Sequence, residues 1–408
     1  MPESRISVLH FTYSEVYAGA EEHMLTLLRG LDRQQFRPLL ACHPRLLEEI
    51  RPTLPEDVEV FPIRLEGLAS YAAAWQFGRI LREQRVRILH SHMFHSSLLA
   101  SPIGWACGVP VIIETPHVAE RWRKGWMKGH FWIDRLVGKC VTRYIAVSQS
   151  NAHYLVRTKG LPRDKVITIR NGCDLANFSP HRPAPPDLRK TLGINDEDLI
   201  LLVPARLEPQ KGHAVLLNAL PSVLREFPQS KVVLVGEGSL RRDLEQQAEA
   251  LGLGSNIRFV GFQSNMADWY AFADLMVLPS YFEGLPLVAI ESLAAGCPVV
   301  ATEVDGTPEV VVHMKTGLTV PPGEPGPLSE AIRFLLRYPQ ISKAMGERGR
   351  EFVESEFSQA RQIRETANLY RHALSSRRRW LDALFPTTKS ESEPPLAARP
   401  SELYRRRY

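Results

Sequence analysis

Short apolar runs alternate with amphipathic stretches along most of the chain, and this alternation constrains the fold more than any other feature. It is typical of parallel strands joined by crossover helices. The apolar runs predict strands at 6–11, 37–42, 58–62, 88–91, 109–115, 144–147 and 166–169, and again at 199–205, 231–235, 257–260, 275–278, 298–302 and 318–320. The stretches between them predict helices at 20–31, 72–84, 97–107, 150–158, 214–226, 241–251, 266–273, 286–295 and 327–338. Each half of the chain is therefore expected to form a doubly wound α/β unit, which binds ligands at the carboxyl ends of its strands.

The two halves meet at the segment 178–187, which is poor in apolar residues and contains four prolines. We interpret this segment as the domain boundary. The predicted domains are 1–178 and 188–357, and the helical stretch 358–374 is expected to cross back onto the first domain. From 375 to 408 the chain is rich in Arg, Ser and Pro with little periodicity, so we expect most of this basic tail to be disordered.

The net charge of +5 comes from two local segments. Residues 375–408 carry a net charge of +4 and residues 119–143 a net charge of +5, so the rest of the chain is slightly acidic. This distribution does not argue for a nucleic-acid partner. No apolar run approaches the ~18 residues of a membrane span, and the N-terminus lacks the pattern of a secretion signal. The five cysteines are scattered without a CxxC pair, so we expect a cytoplasmic protein with reduced thiols.

The strongest functional pattern is the segment 283–291, which places Glu283 and Glu291 around the start of a predicted helix. Pro286 fits the first turn of that helix, where its missing N–H costs nothing. Free backbone N–H groups at such a helix start can receive an anion such as a diphosphate. The two carboxylates can contact different parts of one elongated ligand. The alternative is a capped surface helix with two solvated acids, although Glu291 is a costly neighbour of an apolar helix face unless it has a partner.

A second pattern is a turn with two cations, Arg206 and Lys211, between a predicted strand and a helix. The pair can converge on one anionic site, Arg206 through its planar fork and Lys211 as a point charge. Two exposed cations in a loop are also ordinary, so this turn alone leaves phosphate binding open.

Two glycine turns follow other strands. Gly236 opens a Gly-Glu-Gly turn and allows close backbone approach to a ligand. Arg241 stands where a dinucleotide fingerprint requires its third glycine, which disfavours hydride transfer. Gly19 links the first strand to the first helix and can present its N–H to a phosphate, although a flexible loop glycine explains that segment equally well.

In combination, these segments resemble glycosyltransferase family 4, a large group of retaining enzymes that includes sucrose synthases and phosphatidylinositol mannosyltransferases and has the two-Rossmann GT-B fold. The resemblance extends from about residue 6 to residue 374. It rests on the Glu-x7-Glu segment with the downstream stretch 294–302, on the Arg206/Lys211 turn, on the Gly236 turn and on the stretch Asn171-Gly172-Cys173-Asp174. Ala18 and Asp305 depart from the family pattern, because relatives often have glycine at these positions.

The resemblance implies roles for individual residues. Arg206 and Lys211 would bind the diphosphate of a nucleotide sugar and stabilise charge on the leaving group. Glu291 would hydrogen-bond the ribose and Glu283 the transferred sugar, while His117 would lie near the sugar and the acceptor. The other implied donor-binding residues are Gly19, Gly236, Phe259, Val260, Gly284, Leu285, Pro286, Leu287 and Val288.

The implied reaction moves a hexose from a nucleoside diphosphate sugar to a hydroxyl of a glycan or lipid-linked acceptor, with retention of configuration. Preorganised cations and N–H groups lower the barrier as the leaving diphosphate gains charge, so we expect neither a metal nor a cofactor. The stretch 196–198 matches Asp-x-Asp, but we interpret it as an acidic cluster at a helix N-terminus. His90, His92 and His95 form a tight set without adjacent carboxylates, and we expect them to line the cleft and not to bind a metal.

The stretch 121–132 mixes cations with three tryptophans. This composition suits contact with the inner face of a membrane or with an acceptor lipid head group. A helix of the first domain that buries its aromatic side chains explains the same composition.

Two rival functions remain at this point. One is a catalytically inactive nucleotide-sugar-binding module in a glycan-assembly complex, against which the joint presence of Arg206, Lys211, Glu283 and Glu291 argues. The other is a GT-B relative such as an epimerase or a phosphorylase, and the sequence offers no clear candidate for the pyridoxal lysine that a phosphorylase requires.

Overall fold

The computed structural model describes residues 5–64, 71–118, 120, 131–179 and 182–384. In the first half of the chain, strands and helices alternate as the sequence predicts. They are β1 (Ile6–Thr12), α1 (Gly19–Gly30), β2 (Phe36–Cys42), α2 (Pro44–Ile50), β3 (Glu59–Pro62), α3 (Tyr71–Glu83), β4 (Ile88–His92), α4 (Phe94–Ala106), β5 (Val111–Thr115), α5 (Phe131–Val137), β6 (Arg143–Ala146), α6 (Gln149–His153) and β7 (Val166–Thr168).

The seven strands described in this half form one parallel sheet in the order β3-β2-β1-β4-β5-β6-β7. Helices cover both faces, which is why its inner strands are continuous apolar runs. On one face Leu9 and Phe11 of β1 pack with Phe77 of α3. On the other face Val8 of β1 and Ile88 of β4 belong to a separate apolar cluster.

The second half repeats this plan. Its elements are α7 (Pro186–Leu192), β8 (Leu199–Pro204), α8 (His213–Glu226), β9 (Ser230–Val235), α9 (Arg241–Ala250), β10 (Ile257–Gly261), α10 (Met266–Phe272), β11 (Leu275–Leu278), α11 (Leu287–Ala294), β12 (Val299–Thr302), β13 (Gly317–Val320), α12 (Pro325–Arg337), α13 (Pro339–Glu356) and α14 (Gln359–Leu384). The described strands pair in parallel in the order β10-β9-β8-β11-β12-β13. The expected fold class, two doubly wound α/β units, is confirmed.

The last helix, α14, returns to the first sheet. Tyr370 and Leu374 of α14 complete the apolar cluster that contains Val8 and Ile88. Near its start, α14 runs so close to α1 that a Cβ on Gly30 would overlap Ile363. The helix continues to Leu384 and so includes the first residues of the segment 375–408.

Other details also differ from the sequence prediction. The helices α2, α5, α7 and α13 were not predicted. The acidic stretch 196–198 does not begin a helix. It forms a turn between α7 and β8, in which the Asp198 carboxylate accepts a hydrogen bond from the Asn195 N–H at 2.8 Å.

The first domain buries a cluster of charged side chains. Lys159 Nζ lies 2.7 Å from Glu120 Oε1 and 2.8 Å from Asp134 Oδ1, and all three side chains are buried. Glu114 lines a small cavity together with Asp134 and Lys159. Burial raises the pKa of Glu114 to about 8. Because Glu120 and Asp134 flank the stretch 121–130 in the sequence, Lys159 links the two sides of that stretch.

The tryptophan-rich stretch that the sequence suggests as a membrane contact lies outside the described residues over 121–130. Its last two residues begin α5, where Phe131 is buried and Trp132 is 59% exposed. Among the helices of the described part, none combines the length and the apolar character needed to cross a membrane.

Candidate active site

The candidate site lies where the two sheets face each other at the carboxyl ends of their strands. Doubly wound sheets bind ligands at this edge, because the loops that follow the strands converge there. A Cβ placed on Gly19, at the start of α1, would lie 3.6 Å from Cδ1 of Leu287, at the start of α11. The starts of these two helices therefore meet across the cleft.

An ion pair between Lys211 and Glu283 is the main contact among the predicted site residues. Lys211 Nζ donates to Glu283 Oε1 at 2.6 Å. Ser280 Oγ donates to the same carboxylate oxygen, also at 2.6 Å. Glu283 is only 6% exposed, so these two partners replace the water that would otherwise solvate its carboxylate.

Two loops are held together to make this ion pair. Lys211 ends a short 3-10 turn, and the next residue, Gly212, has φ +65°. A Cβ on Gly212 would overlap the carbonyl of Pro279, so glycine permits the contact between the loop after β8 and the loop after β11. The N–H of Tyr281 donates to the carbonyl of Gln210 at 2.8 Å, which fixes the two loops further.

Arg206 stands in the same loop with its side chain exposed. Within the described residues its guanidinium makes no hydrogen bond or ion pair, so its five N–H groups remain available to an anion. Gly236 approaches this loop from the end of β9 with φ +147°, and a Cβ there would overlap the carbonyl of Ala205. The glycine turn therefore serves close backbone packing at the strand ends.

Glu291 has a partner, as the cost of its position led us to expect. Tyr270 Oη donates to Glu291 Oε2 at 3.0 Å. Burial raises the pKa of Glu291 to about 7, and the charge of Glu22 on α1 adds to the shift. Pro286 is the residue immediately before α11, which begins at Leu287, so the N–H groups of the first turn are those of Leu287 and the residues after it.

Asp305 stands where the family resemblance implies glycine, and its backbone adopts a conformation that suits glycine. The backbone of Asp305 has φ +42°, in the left-handed region that favours glycine. Its Oδ2 accepts a hydrogen bond from the N–H of Glu283 at 3.0 Å. The carboxylate thus holds the backbone of the loop that carries Glu283.

The two domains touch at the centre of the cleft. A Cβ on Gly284 would overlap the carbonyl oxygen of His117, and a Cβ on Gly306 would overlap the carbonyl of Gly284. At the side of the cleft, the N–H groups of Gln149 and Ser150 at the start of α6 donate to the Glu309 carboxylate, at 3.1 and 3.0 Å. The loop that begins with Glu283 therefore lies directly against His117.

His117 belongs to a cluster of five buried imidazoles. His117 Nε2 lies 3.5 Å from His92 Nδ1, and His92 Nε2 lies 3.1 Å from His10 Nδ1. Burial lowers the pKa of His92 and of His117 well below the usual value, so both rings are neutral near pH 7. His90 and His92 have no exposed surface, so the expectation that they line the cleft is wrong. The side chain of His95 lies outside the described part.

Residues from the end of the chain hold this cluster in place. His90 Nδ1 lies 2.6 Å from Tyr370 Oη of α14. His23 Nδ1 lies 2.7 Å from Asn171 Oδ1 and 3.0 Å from Gln362 Nε2. The sequence indicates only a part of this arrangement, since Asn171 belongs to a recognisable motif but Gln362 and Tyr370 belong to none.

Three of the implied donor-binding residues, Gly236, Phe259 and Val260, lie farther along the sheet edge. The guanidinium carbon of Arg241 lies over the ring of Phe259, 5.0 Å from the ring centre. The guanidinium therefore covers one face of that partly buried ring. Val260 packs against the core of the second sheet. The N–H of Gly236 donates to the carbonyl of Gly261 at 2.9 Å, so the glycine turn after β9 and the end of β10 are neighbours.

The structure therefore brings the predicted residues to one cleft, but only some of them contact one another. Lys211 contacts Glu283, Gly19 faces Leu287, and Gly284 meets His117. Four contributors have no signal in the sequence or only a weak one: Ser280, Tyr270, His10 and His23.

Comparisons with known proteins agree with this architecture. A family model described as Glycosyltransferase Family 4 matches residues 17–177, and one described as Glycosyl transferases group 1 matches residues 186–352. The D-inositol 3-phosphate glycosyltransferase 2 of Catenulispora acidiphila is 31% identical over 316 residues, which cover 71% of this chain and 72% of that protein. The UDP-Gal:alpha-D-GlcNAc-diphosphoundecaprenol alpha-1,3-galactosyltransferase of Escherichia coli is 22% identical over 385 residues, which cover 90% of this chain and 97% of that protein.

A solved structure shows the same fold. The crystal structure of HepE from Anabaena in complex with UDP-glucose matches with a TM-score of 0.79 at 20% identity and covers 91% of this chain and 100% of that one. Two parallel α/β sheets that face each other across a cleft, with these residues at their carboxyl edges, define the GT-B class of glycosyltransferases. Within that class, the chain belongs to glycosyltransferase family 4.

Proposed function

We propose that this protein transfers a hexose from a nucleoside diphosphate sugar to an acceptor hydroxyl, with retention of configuration and without a metal ion. The observation that carries the proposal is the largely buried Lys211–Glu283 ion pair at the carboxyl ends of β8 and β11, beside the exposed Arg206, which has no ion-pair partner among the described residues. Two cations and a carboxylate in this arrangement suit a ligand with an anionic part and a hydroxyl-rich part.

Donor binding then proceeds by an exchange of partners. The diphosphate takes hydrogen bonds from Lys211 and Arg206, and Glu283 turns from Lys211 to accept hydrogen bonds from sugar hydroxyls. The Lys211–Glu283 contact keeps both charges in place before the donor arrives, so that little reorganisation is needed when it binds. Glu291, held by Tyr270 at the start of α11, is positioned to bind the ribose.

The chemistry of the step follows from charge development. As the bond between the sugar and the diphosphate breaks, negative charge grows on the leaving oxygens, where Lys211, Arg206 and the N–H groups at the start of α11 stabilise it. The acceptor hydroxyl attacks from the same face of the sugar within an ion-pair-like state, which retains configuration, and its proton passes to the departing diphosphate oxygen. His117, whose carbonyl touches Gly284, lies near the sugar and the acceptor as a neutral hydrogen-bonding group.

For the acceptor we propose a hydroxyl on a glycan or a lipid-linked sugar, reached from the cytoplasmic face of a membrane. The Escherichia coli relative is named for a diphosphoundecaprenol-linked acceptor, which supports the lipid-linked case. Trp75 of α3, Trp105 of α4 and Trp132 of α5 are 66%, 66% and 59% exposed. Helix α4 packs against both α3 and α5, so the helices that carry these exposed rings are neighbours, which supports a membrane interface on this part of the first domain.

The test starts with a thermal-shift screen of UDP-, GDP- and ADP-sugars, followed by mass spectrometry of products made with membrane and soluble extracts. We expect one nucleotide series to stabilise the protein, a hexose to be added to one acceptor, and transfer to continue with excess EDTA. NMR of the product should show the anomeric configuration of the donor.

Two variants sharpen this test. Lys211→Met should lose transfer, whereas Lys343→Met, in an exposed ion pair on α13, should keep it. Donor binding without transfer to any acceptor would favour the inactive binding module. Loss of transfer with EDTA, or product of inverted configuration, would overturn the mechanism but not the donor site.

A further inference from the structure

Three imidazoles of the buried histidine cluster converge on one point. His23 of α1, His92 at the end of β4 and His117 after β5 each offer one ring nitrogen, and these nitrogens lie within 4.8 Å of one another. All three side chains are more than nine-tenths buried. Three side chains from three separate elements thus place ring nitrogens around a common centre.

The other nitrogens of two of these rings are already engaged. His23 Nδ1 lies 2.7 Å from Asn171 Oδ1 and 3.0 Å from Gln362 Nε2, so this ring nitrogen is engaged within the protein. Nε2 of His23 is buried without a hydrogen-bond partner among the described residues. His92 Nε2 bonds His10 Nδ1 at 3.1 Å, which leaves His92 Nδ1 on the side of His117. Ligand histidines are usually oriented in this way, by a hydrogen bond from the ring nitrogen that does not bind the metal.

A second trio, His10, His90 and His92, is as close but less suited to a ligand. Both nitrogens of His90 are used, by Tyr370 Oη at 2.6 Å and by Thr115 Oγ1 at 2.7 Å. His90 therefore serves as a hydrogen-bonded core residue. His92 can act as a ligand together with His23 and His117.

We propose that His23, His92 and His117 form a binding site for a borderline divalent cation such as Zn²⁺. Neutral imidazoles are the preferred ligands of Zn²⁺, Co²⁺, Ni²⁺ and Cu²⁺, and three of them leave a coordination position for water or an incoming group. Hard cations such as Mg²⁺ prefer oxygen ligands and are not expected to bind here. The site is distinct from Arg206 and Lys211, so the cation takes no part in stabilising the leaving group.

The site has a consequence that rests on the proposed function. His117 would be shared between the cation and the sugar or acceptor, so the bound cation and the substrate compete for one ring. We therefore expect micromolar Zn²⁺ to inhibit transfer and a chelator to restore it.

The decisive measurement is direct binding to the full-length protein in the absence of substrate. Protein freed of metal by a chelator is titrated with Co²⁺, and with Zn²⁺ in competition with a chromophoric chelator. We expect saturation at about one ion per chain, the intense visible absorption of four-coordinate Co²⁺, and a rise in the midpoint of thermal unfolding with Zn²⁺. Mg²⁺ is the negative control.

Variants identify the ligands. His23→Gln and His92→Gln should each weaken Zn²⁺ binding at least tenfold, while His372→Gln, at an exposed position on α14, should leave it unchanged. Wild-type protein that gives no saturable binding, or the spectrum of the hexa-aqua Co²⁺ ion, overturns the proposal even if a variant fails to fold. Equal binding by a folded His23→Gln variant overturns it as well. Since no substrate is present, these results do not depend on transfer, and loss of transfer in Lys211→Met leaves the cation site intact.

Discussion

The substitution Lys211→Met tests the structural and the chemical role of the Lys211–Glu283 ion pair. The N–O distance is 2.6 Å, and both side chains are largely buried. At an effective dielectric constant near 20, the Coulomb attraction at this distance is about 6 kcal/mol. Desolvation of the two ions offsets most of it, but removal of one partner leaves a buried charge, which costs about 3–5 kcal/mol. Because Ser280 still donates to Glu283, we expect Lys211→Met to lower the free energy of unfolding by about 3 kcal/mol.

The double variant Lys211→Met/Glu283→Gln separates the two roles. It leaves no unpaired charge, so it should be more stable than Lys211→Met alone, by about 1–2 kcal/mol. Transfer should not recover, because the donor diphosphate still lacks its cation. The loss of one such electrostatic contact lowers the rate by about 10²–10³-fold.

Urea unfolding followed by circular dichroism measures stability, and mass spectrometry of the product at saturating donor measures transfer. Lys343→Met is the matched control, because its ion pair with Glu347 lies on an exposed helix face and should change stability by less than about 0.5 kcal/mol. Recovery of transfer in the double variant would refute the reasoning, since Lys211 would then serve only to neutralise Glu283. If Lys211→Met were as stable as the wild type, the predicted contribution of the ion pair to stability would be refuted.

Three further predictions concern other parts of the cleft and the first domain. Gly284→Ala places a methyl group against the His117 carbonyl, so transfer should fall about a hundredfold while Gly254→Ala, in open space, has no effect. Glu114→Gln should stabilise the protein increasingly as pH rises, because the raised pKa makes the wild type lose stability between the ordinary value of 4.5 and about 8, by about 1 kcal/mol per pH unit. Lys159→Met leaves two buried carboxylates without their cation and should cost about 3–5 kcal/mol in urea unfolding.

Each of these predictions has a result that would contradict it. Wild-type transfer by Gly284→Ala would mean that the domains need not meet at this point. A difference in stability between Glu114→Gln and the wild type that stays constant from pH 5 to pH 8 would show that Glu114 is ionised throughout. Wild-type stability of Lys159→Met would mean that the two carboxylates are neutral or hydrated.

The strands could be predicted from the sequence because parallel strands covered on both faces are continuous apolar runs. The helix α13 could not, and its glycines give the reason. Gly346 and Gly349 weaken a helix by intrinsic propensity, yet here they let α13 lie against the chain at Gly296 and the side chain of Leu293. Close packing that the sequence does not reveal thus overrides a poor local preference.

The site was predictable to a similar extent. Motifs place Lys211 and Glu283 at neighbouring strand ends, but their ion pair depends on Gly212 approaching Pro279, which only the folded chain shows. The histidine cluster is harder still, because His10 and His92 are separated by 82 positions, and His90 and Tyr370 by 280. No local sequence pattern predicts contacts between residues that are so far apart in the chain.

The two sides of the cleft differ in their electrostatics, and this difference bears on how the transfer works. The second domain supplies formal charges, Arg206 and Lys211 with Glu283, whereas the first domain supplies His117, which burial keeps neutral. In the proposed mechanism, formal cations therefore stabilise charge on the leaving diphosphate from the second domain, and the acceptor hydroxyl approaches the neutral His117 from the first. If His117 were protonated, it would attract the diphosphate and could not accept a hydrogen bond from the acceptor. The low pKa of His117 thus keeps the anionic and the hydroxyl-binding parts of the cleft apart.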